Sequence, residues 1–186
     1  MDDFFGNYIF TLEFLANLIV EIIGGLLFLF IILILLRPRV EISPEIAKHN
    51  DPFDANKRMC WVFKIVNKSF FSAFDVQVEL MEKITYPAHP YGQNVRMFPL
   101  TLKVNSIPHV APFRPSWFKK DYSDYALRFR TYDDLDVVLN DPTKSLQLKV
   151  TLKHGLTGLG KVYSKQYVGP AIKSGQFVIG SKFEVV

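Results

Sequence analysis

Residues 14–36 read FLANLIVEIIGGLLFLFIILILL, an apolar run of 23 residues that contains one charged residue, Glu21. A helix needs about 20 such residues to cross the hydrocarbon core of a bilayer, so the run predicts a transmembrane helix over residues 13–36. A cleaved signal peptide is the alternative. In a signal peptide, positive charges precede the apolar run, whereas here acids precede it and Arg37 and Arg39 follow it. We therefore expect a membrane anchor.

The charges of the chain are unevenly divided about this run. All 22 Lys and Arg residues lie at or after Arg37, and four of the 18 acids lie before it. Because Lys and Arg stay on the side that is not translocated, we expect residues 1–12 outside and the remainder in the cytoplasm. That remainder carries 22 cations against 14 acids. Its excess of +8 predicts attraction to phosphates, anionic lipid or an acidic partner.

Polar residues within the predicted span fall on one helical face. With Glu13 at zero and about 100° per residue, Asn17 lies near 40°, Glu21 near 80° and Gly24 near 20°. Carboxylates and carboxamides rarely face lipid, and one helix has no interior. We therefore expect several copies to associate with this stripe turned inward, where Gly24 permits close approach of the helices. The stripe predicts pore-lining residues.

The same face becomes apolar toward the cytoplasm, at Phe28, Ile31 and Leu35. Rings of carboxylates attract cations, and apolar rings gate channels by dewetting, so these three residues are the predicted hydrophobic gate of a cation channel. Another interpretation stays open. Glu13 could lie in the outer head groups, and Glu21 could be protonated or hydrogen-bonded within a simple dimer.

After Arg37, apolar and polar residues alternate in short runs that Pro, Gly, Asn and Asp separate, which is typical of antiparallel strands. We expect an irregular connection over 37–57 that contains one strand, and a cytoplasmic β-sandwich over 58–186. Eleven prolines and many aromatic residues favour an all-β, immunoglobulin-like sandwich, although a closed barrel is possible. Residues 132–139 predict a short helix or turn. The predicted strands are 40–43, 58–67, 73–84, 95–104, 125–131, 145–154, 161–168 and 176–185.

No motif of the β region predicts catalysis. It has no glycine-rich phosphate loop before a helix, no nucleophile elbow and no close acid pair suited to hydrolysis. The single cysteine, Cys60, reads as a small buried residue of a reducing compartment, and the four histidines lack ligand spacing. We expect no enzyme, no metal site and no cofactor.

Two basic regions predict an anion-binding surface. If Thr151 lies opposite Tyr163 in a hairpin, four lysines surround that tyrosine on one face, an arrangement that an anion would stabilise. The second region, 112–130, interleaves cations with aromatic rings, as in grooves that bind single-stranded nucleic acid. A protein interface or a membrane-surface loop has the same composition. The predicted anion-binding or oligonucleotide-binding residues are Lys149, Lys153, Lys161, Lys165, Lys119, Lys120, Arg128 and Arg130.

The layout of one N-terminal span and a basic, strand-rich cytoplasmic domain resembles the small single-span membrane effectors of bacterial antiviral systems. Among these it is most similar to the Hailong-type channels. The resemblance is carried by the polar stripe, the flank 37–39 and the predicted basic β face. It implies a homotetrameric cation channel in the bacterial inner membrane. In that family, single-stranded DNA oligomers from a partner nucleotidyltransferase keep the channel shut, and their loss opens it and arrests the infected cell.

The leading interpretation is thus a homo-oligomeric cation channel, regulated by a polyanion on its β domain. The alternative is a non-conducting tether, in which the helix holds an immunoglobulin-like module that binds a protein partner and the basic flank contacts anionic lipid. Only the channel requires the Glu21 stripe.

Overall fold

The computed structural model describes residues 2–36, 38–90, 92–114, 124–154 and 158–186, without the side chains of residues 2–12 and of Leu35. The chain forms two compact units, Met1–Arg37 and Pro38–Val186. The first contains one continuous helix, α1, over Asp2–Leu35. Its segment Glu13–Ile34, 22 residues, is long and apolar enough to be a membrane anchor or a signal sequence. The predicted helix is confirmed.

The second unit is mostly β and contains two five-stranded sheets, one of which curls into a half-barrel. The first sheet consists of β1 (Val40–Ile42), β2 (Ile46–Asn50), β3 (Met59–Asn67), β7 (Ala126–Thr131) and β10 (Ile172–Ser174). The second consists of β4 (Ala73–Pro87), β5 (Gln93–Leu100), β6 (Ser106–Val110), β8 (Lys144–His154) and β9 (Gly160–Tyr167). A single-turn helix, α2 (Leu135–Leu139), lies between β7 and β8, within the range where we expected a helix or turn.

Strand β3 organises the first sheet. It pairs with β7 over Trp61–Val66, with β2 near its beginning and with β1 at its end, all antiparallel. Strand β10 adds to β2 in parallel. In the second sheet the order is β5, β4, β8, β9, with β6 beside the first part of β4. Strands β1 and β9 therefore lie at the ends of the strand orders of their sheets.

The main core lies between the sheets, because alternate residues of each strand are apolar and point to the same face. From the first sheet it receives Trp61, Phe63 and Ile65, and from the second it receives the buried leucines and valines of β4 and β8. A smaller cluster forms on the other face of the first sheet, where Phe177 of the C-terminal segment packs on Cys60 and Val62. The first sheet thus has an additional apolar cover on its outer face.

Three strands differ from the sequence-based prediction. Residues 46–50, expected in an irregular connection, form β2, because they pair with the following strand β3 on one side and with the distant β10 on the other. Strand β6 was not among the predicted strands. It contains Pro108, which cannot donate to a ladder, and strands with proline are found at sheet edges. The predicted strand 176–185 is not one. It contains only a bridge between Phe177 and Val185, and the short strand β10 precedes it.

Candidate functional site

The predicted pore-lining residues lie along one face of α1. The helix has no break, so the spacings of four, four and three residues that separate Glu13, Asn17, Glu21 and Gly24 keep them on a common stripe. The three polar side chains are exposed in the single chain. A Cβ atom added at Gly24 would meet no atom within 4 Å. Within the described part of α1, no other side chain covers these polar groups.

The predicted gate continues the stripe toward the end of α1. Phe28 and Ile31 are both exposed, and they follow Gly24 by four and seven residues. Of Leu35 only the backbone is among the described atoms. Along this face of the helix the polar residues precede the apolar ones, and their roles as pore lining and gate stay predictions.

The four lysines predicted to form one basic face are divided between two faces of the second sheet. We expected Thr151 to lie opposite Tyr163, but Thr151 pairs with Val162. A shift of one residue moves every side chain of a strand to the other face. Lys161 and Lys165 consequently share a face with the buried residues of β8. The prediction of a single four-lysine surface is wrong.

The other two lysines, on the outer face of β8, already have partners. Lys149 contacts the carboxylate of Glu79 at 3.2 Å, and Lys153 contacts that of Asp75 at 2.9 Å. Both carboxylates belong to β4, the neighbouring strand. An incoming anion at Lys149 or Lys153 would compete with these exposed ion pairs, which are themselves weak.

Burial of Tyr167 explains the register of β9. Tyr167 lies opposite Leu146, and both are buried in the main core. Its ring centroid is 5.6 Å from that of Phe63, and its hydroxyl donates to the carbonyl of Ser43 at 2.8 Å. The register that we expected would turn this ring to solvent and lose the burial of a large aromatic side chain.

The predicted binding residues of the second basic region are divided as well. Lys119 and Lys120 lie outside the described residues. Arg128 donates to the carbonyl of Phe177 at 2.8 Å, and Arg130 contacts the carboxylate of Asp51 at 2.6 Å. These two guanidinium groups therefore hold parts of the domain together.

Asp51 is the centre of a buried polar network. Its carboxylate accepts hydrogen bonds from the Tyr132 hydroxyl at 2.6 Å, the Arg130 guanidinium at 2.6 Å and the amide of Phe53 at 3.0 Å. The Lys103 ammonium lies 3.6 Å away. The Tyr132 hydrogen bond is the main cause that holds the pKa of Asp51 far below its ordinary value, and Phe53 and Arg130 add to it against the effect of burial. This carboxylate is ionised and structural.

A buried lysine attaches the C-terminal segment to the first sheet. Lys64 is 1% exposed, and its ammonium donates to the carbonyls of Val178 at 2.6 Å and Lys182 at 2.7 Å. Burial, with a smaller effect from the charge of Arg128, lowers the pKa of Lys64 to about 8. Residues 176–186 thereby cover the outer face of β3 around Lys64.

We expect this lysine to make stability depend on alkaline pH. The pKa of Lys64 falls from 10.5, its ordinary value, to about 8 in the folded protein, so between these values the unfolded chain binds more protons. Raising the pH through this window therefore favours the folded state. The free energy of unfolding of the wild type, measured against Lys64→Met, should rise from pH 8 to 10.5 and stay constant below pH 7. Lys182 is exposed, so the difference in unfolding free energy between the wild type and Lys182→Met should not change with pH. If this difference rose with pH as steeply as the one measured against Lys64→Met, the assignment to Lys64 would be contradicted.

The described residues include no group of three His, Cys, Asp or Glu side chains that could hold a metal ion. Burial raises the pKa of the Cys60 thiol, which disfavours the thiolate that a nucleophile requires. The Cys60 sulfur lies 3.3 Å from the carbonyl of His49 and packs in the smaller core cluster. Cys60 is thus a buried packing residue, as its sequence context indicated.

A basic groove that the sequence did not predict lies where β1 and β9 approach each other. Its volume is about 360 Å³, and we name it the β1–β9 groove. Two cations of the groove, Arg39 and Lys161, have no carboxylate partner among the described residues, whereas Lys68 is 3.3 Å from Glu41. The only signal in the sequence was that Arg39 belongs to the basic flank of the helix. The groove is lined by Arg39, Val40, Glu41, Lys68, Lys161 and Tyr163.

No family model matches the chain, and no curated protein matches it. Among solved structures, a protein from Bordetella pertussis named ApaA is similar to 72% of this chain over 95% of its own length. The TM-score is 0.35 and the sequence identity 8%. A similarity this distant gives no information about function.

Proposed function

We propose that this protein is a homo-oligomeric, cation-conducting membrane channel. The observation that carries the proposal is the stripe on α1, where Glu13, Asn17 and Glu21 follow one another on a single face of an otherwise apolar helix. Each chain contributes one helix, so the pore forms from several copies, four in the family that the sequence resembles. The stripe lines the pore.

The free-energy cost of a carboxylate that faces lipid supports self-association. A carboxylate at the centre of a bilayer costs about 3 kcal/mol on insertion scales, and Glu21 lies well inside the apolar segment. Association hides this group from lipid and gathers one carboxylate per chain around a common axis. Such rings select cations. At the other end of the helix, rings of Phe28 and Ile31 form the hydrophobic constriction.

The regulator in this proposal is an anionic oligonucleotide, as the resemblance implies. Of the four lysines on β8 and β9, Lys161 and Lys165 have no carboxylate partner among the described residues, whereas Lys149 and Lys153 have one each. Of these two, Lys165 lies outside the lining of the β1–β9 groove, and we place the first contact of single-stranded DNA there. The role in antiviral defence is part of the same proposal.

The proposal also includes the location and the finer fold. All Lys and Arg residues follow the helix, which favours the bacterial inner membrane with the N-terminus outside and the β domain in the cytoplasm. Two face-to-face sheets of mainly antiparallel strands favour an immunoglobulin-like sandwich.

Ion flux tests the proposal. Full-length protein reconstituted in vesicles should conduct potassium in preference to chloride, and short single-stranded DNA added on the side of the β domain should reduce the flux. Vesicles without protein provide the background. If folded, uniformly oriented protein gave no more flux than the empty vesicles, with and without DNA, a channel would be contradicted.

A second candidate function is a membrane-tethered module that binds a protein partner. The hairpin arm of β4 and β5 favours it, because Val95, Met97 and Phe98 are all exposed there. Val95 and Met97 share one face of β5, and exposed apolar residues on one face are typical of protein interfaces. Two results together would favour this function over the channel. The protein would conduct no ions, and it would bind a partner that Met97→Asp no longer binds.

A further inference from the structure

We propose that the β1–β9 groove binds the phosphate of an anionic phospholipid head group. This inference goes beyond conduction, and it rests only on the proposed membrane anchoring of α1. Arg39, Lys68 and Lys161 bring three positive charges to the groove, and Glu41 brings one negative charge. The groove therefore has a surplus of cations, which is the requirement for a phosphate ester.

The groove is held in shape by hydrogen bonds on both sides. The amide of Arg39 donates to the hydroxyl of Ser69 at 2.6 Å, and the amide of Lys68 donates to the carbonyl of Arg39 at 2.7 Å. The Tyr163 hydroxyl donates to the carbonyl of Pro38, which ties β9 to the beginning of β1. The two cations that neighbour each other in the fold, Arg39 and Lys68, are thus fixed by their backbones.

Lys161 completes the site from the opposite strand. Its ammonium lies 4.6 Å from the centroid of the Tyr163 ring, a cation–π contact that holds it over the groove. Because Lys161 is on the edge strand β9 and is exposed, its ammonium can still donate a hydrogen bond to a phosphate oxygen. Tyr163 and Val40 add an apolar wall next to the charges.

The position of Arg39 in the chain identifies membrane lipid as the source of the phosphate. Arg39 is three residues after Leu36, so the chain between them spans at most about 11 Å. Basic residues within such a distance of a membrane helix contact anionic head groups. Elsewhere in the described domain, basic residues such as Lys144 and Lys173 pair with carboxylates, at 2.9 and 2.5 Å.

Lipid retention tests this site. Full-length protein is extracted in mild detergent with phosphatidylglycerol and phosphatidylcholine in equal amounts, and the bound lipid is counted by native mass spectrometry. The wild type should retain phosphatidylglycerol preferentially. Lys161→Glu should reduce this retention on the order of tenfold, because two units of charge change at the groove.

Lys165→Glu is the matched control. It makes the same charge change on the same strand and face, four residues away and outside the groove lining. It should leave lipid retention unchanged, and thermal unfolding checks that both variants fold. Equal retention by the wild type and Lys161→Glu would overturn the proposal.

Two competitors distinguish other sources of phosphate. Inorganic phosphate that displaces the lipid at millimolar concentration would overturn the assignment to a lipid and indicate a site for free phosphate. Single-stranded DNA that displaces the lipid would also overturn it and assign the groove to nucleic acid. Conduction is measured separately, so loss of lipid with unchanged flux would contradict neither proposal.

Discussion

Replacing Glu21 with leucine is expected to abolish cation flux through vesicles that contain the full-length protein. Glu21 is the only charged residue of the apolar run 14–36, and the continuous helix places it on the same face as Glu13 and Asn17. In the proposed channel, leucine would remove the ring of carboxylates that concentrates cations and put an apolar ring in its place, which favours dewetting. The measurement is potassium flux at equal protein content.

Two further variants separate charge from packing. Ile19→Leu introduces the same residue on the opposite side of the helix, about 160° from Glu21, and should leave the flux unchanged. Glu21→Gln keeps a polar side chain without the charge, so the preference for potassium over chloride should fall. Unchanged flux in Glu21→Leu would remove this residue from the pore.

Replacing Asp51 with alanine is expected to lower the free energy of unfolding of the β domain by about 3 kcal/mol at neutral pH, near the lower end for breaking a buried ion pair. The side chain of Asp51 is fully buried and accepts hydrogen bonds from Arg130, Tyr132 and Phe53. Alanine leaves a guanidinium and a hydroxyl without their acceptor. The value is not larger because Arg130 is partly exposed and can bind water. Chemical denaturation measures the loss.

A nearby aspartate provides the control for Asp51. The side chain of Asp54 is 14% exposed and pairs at 2.8 Å with the exposed Arg58, and pairs with an exposed partner contribute little, so Asp54→Ala should have a smaller effect. The pKa of Asp51 is lowered in the folded state, so its stabilisation is complete above the ordinary aspartate pKa of about 4 and is lost as the pH falls below it. The difference between the wild type and Asp51→Ala should therefore shrink in acid. Equal losses in the two variants would contradict the role of the network.

Much of the secondary structure was predictable, because hydrophobic periodicity is a local property. Seven of the eight predicted strands correspond to β1, β3, β4, β5, β7, β8 and β9, and the apolar run became α1. The prediction was wrong at β2 and β6, because β2 also pairs with β10 and β6 pairs with β4, and both of these partners are distant in sequence. It was also wrong at residues 176–185, where Lys64 binds backbone carbonyls that a strand would use in its own ladder.

The basic face illustrates why a site on two strands is harder to predict than either strand. Lys161, Tyr163, Lys165 and Tyr167 alternate on one face of β9, so the lysines had to follow whichever side buried the tyrosines. The expected pairing of Thr151 with Tyr163 places Tyr163 on the polar face, with the four lysines around it. The burial of Tyr167 against the other sheet decides the register, and no residue of the hairpin itself indicates that contact.

The sequence by itself determined the long helix, the order of its polar and apolar halves, the charge asymmetry about Arg37 and the β character of the remainder. These properties depend on the composition and spacing of residues within one segment. Only the tertiary structure decided which cations are free, since Arg130 pairs with a carboxylate 79 positions away and Arg39 joins Lys161 in one groove. The physical reason is that strand pairing is selected by the burial of side chains from both sheets together, and that burial does not exist until the chain has folded.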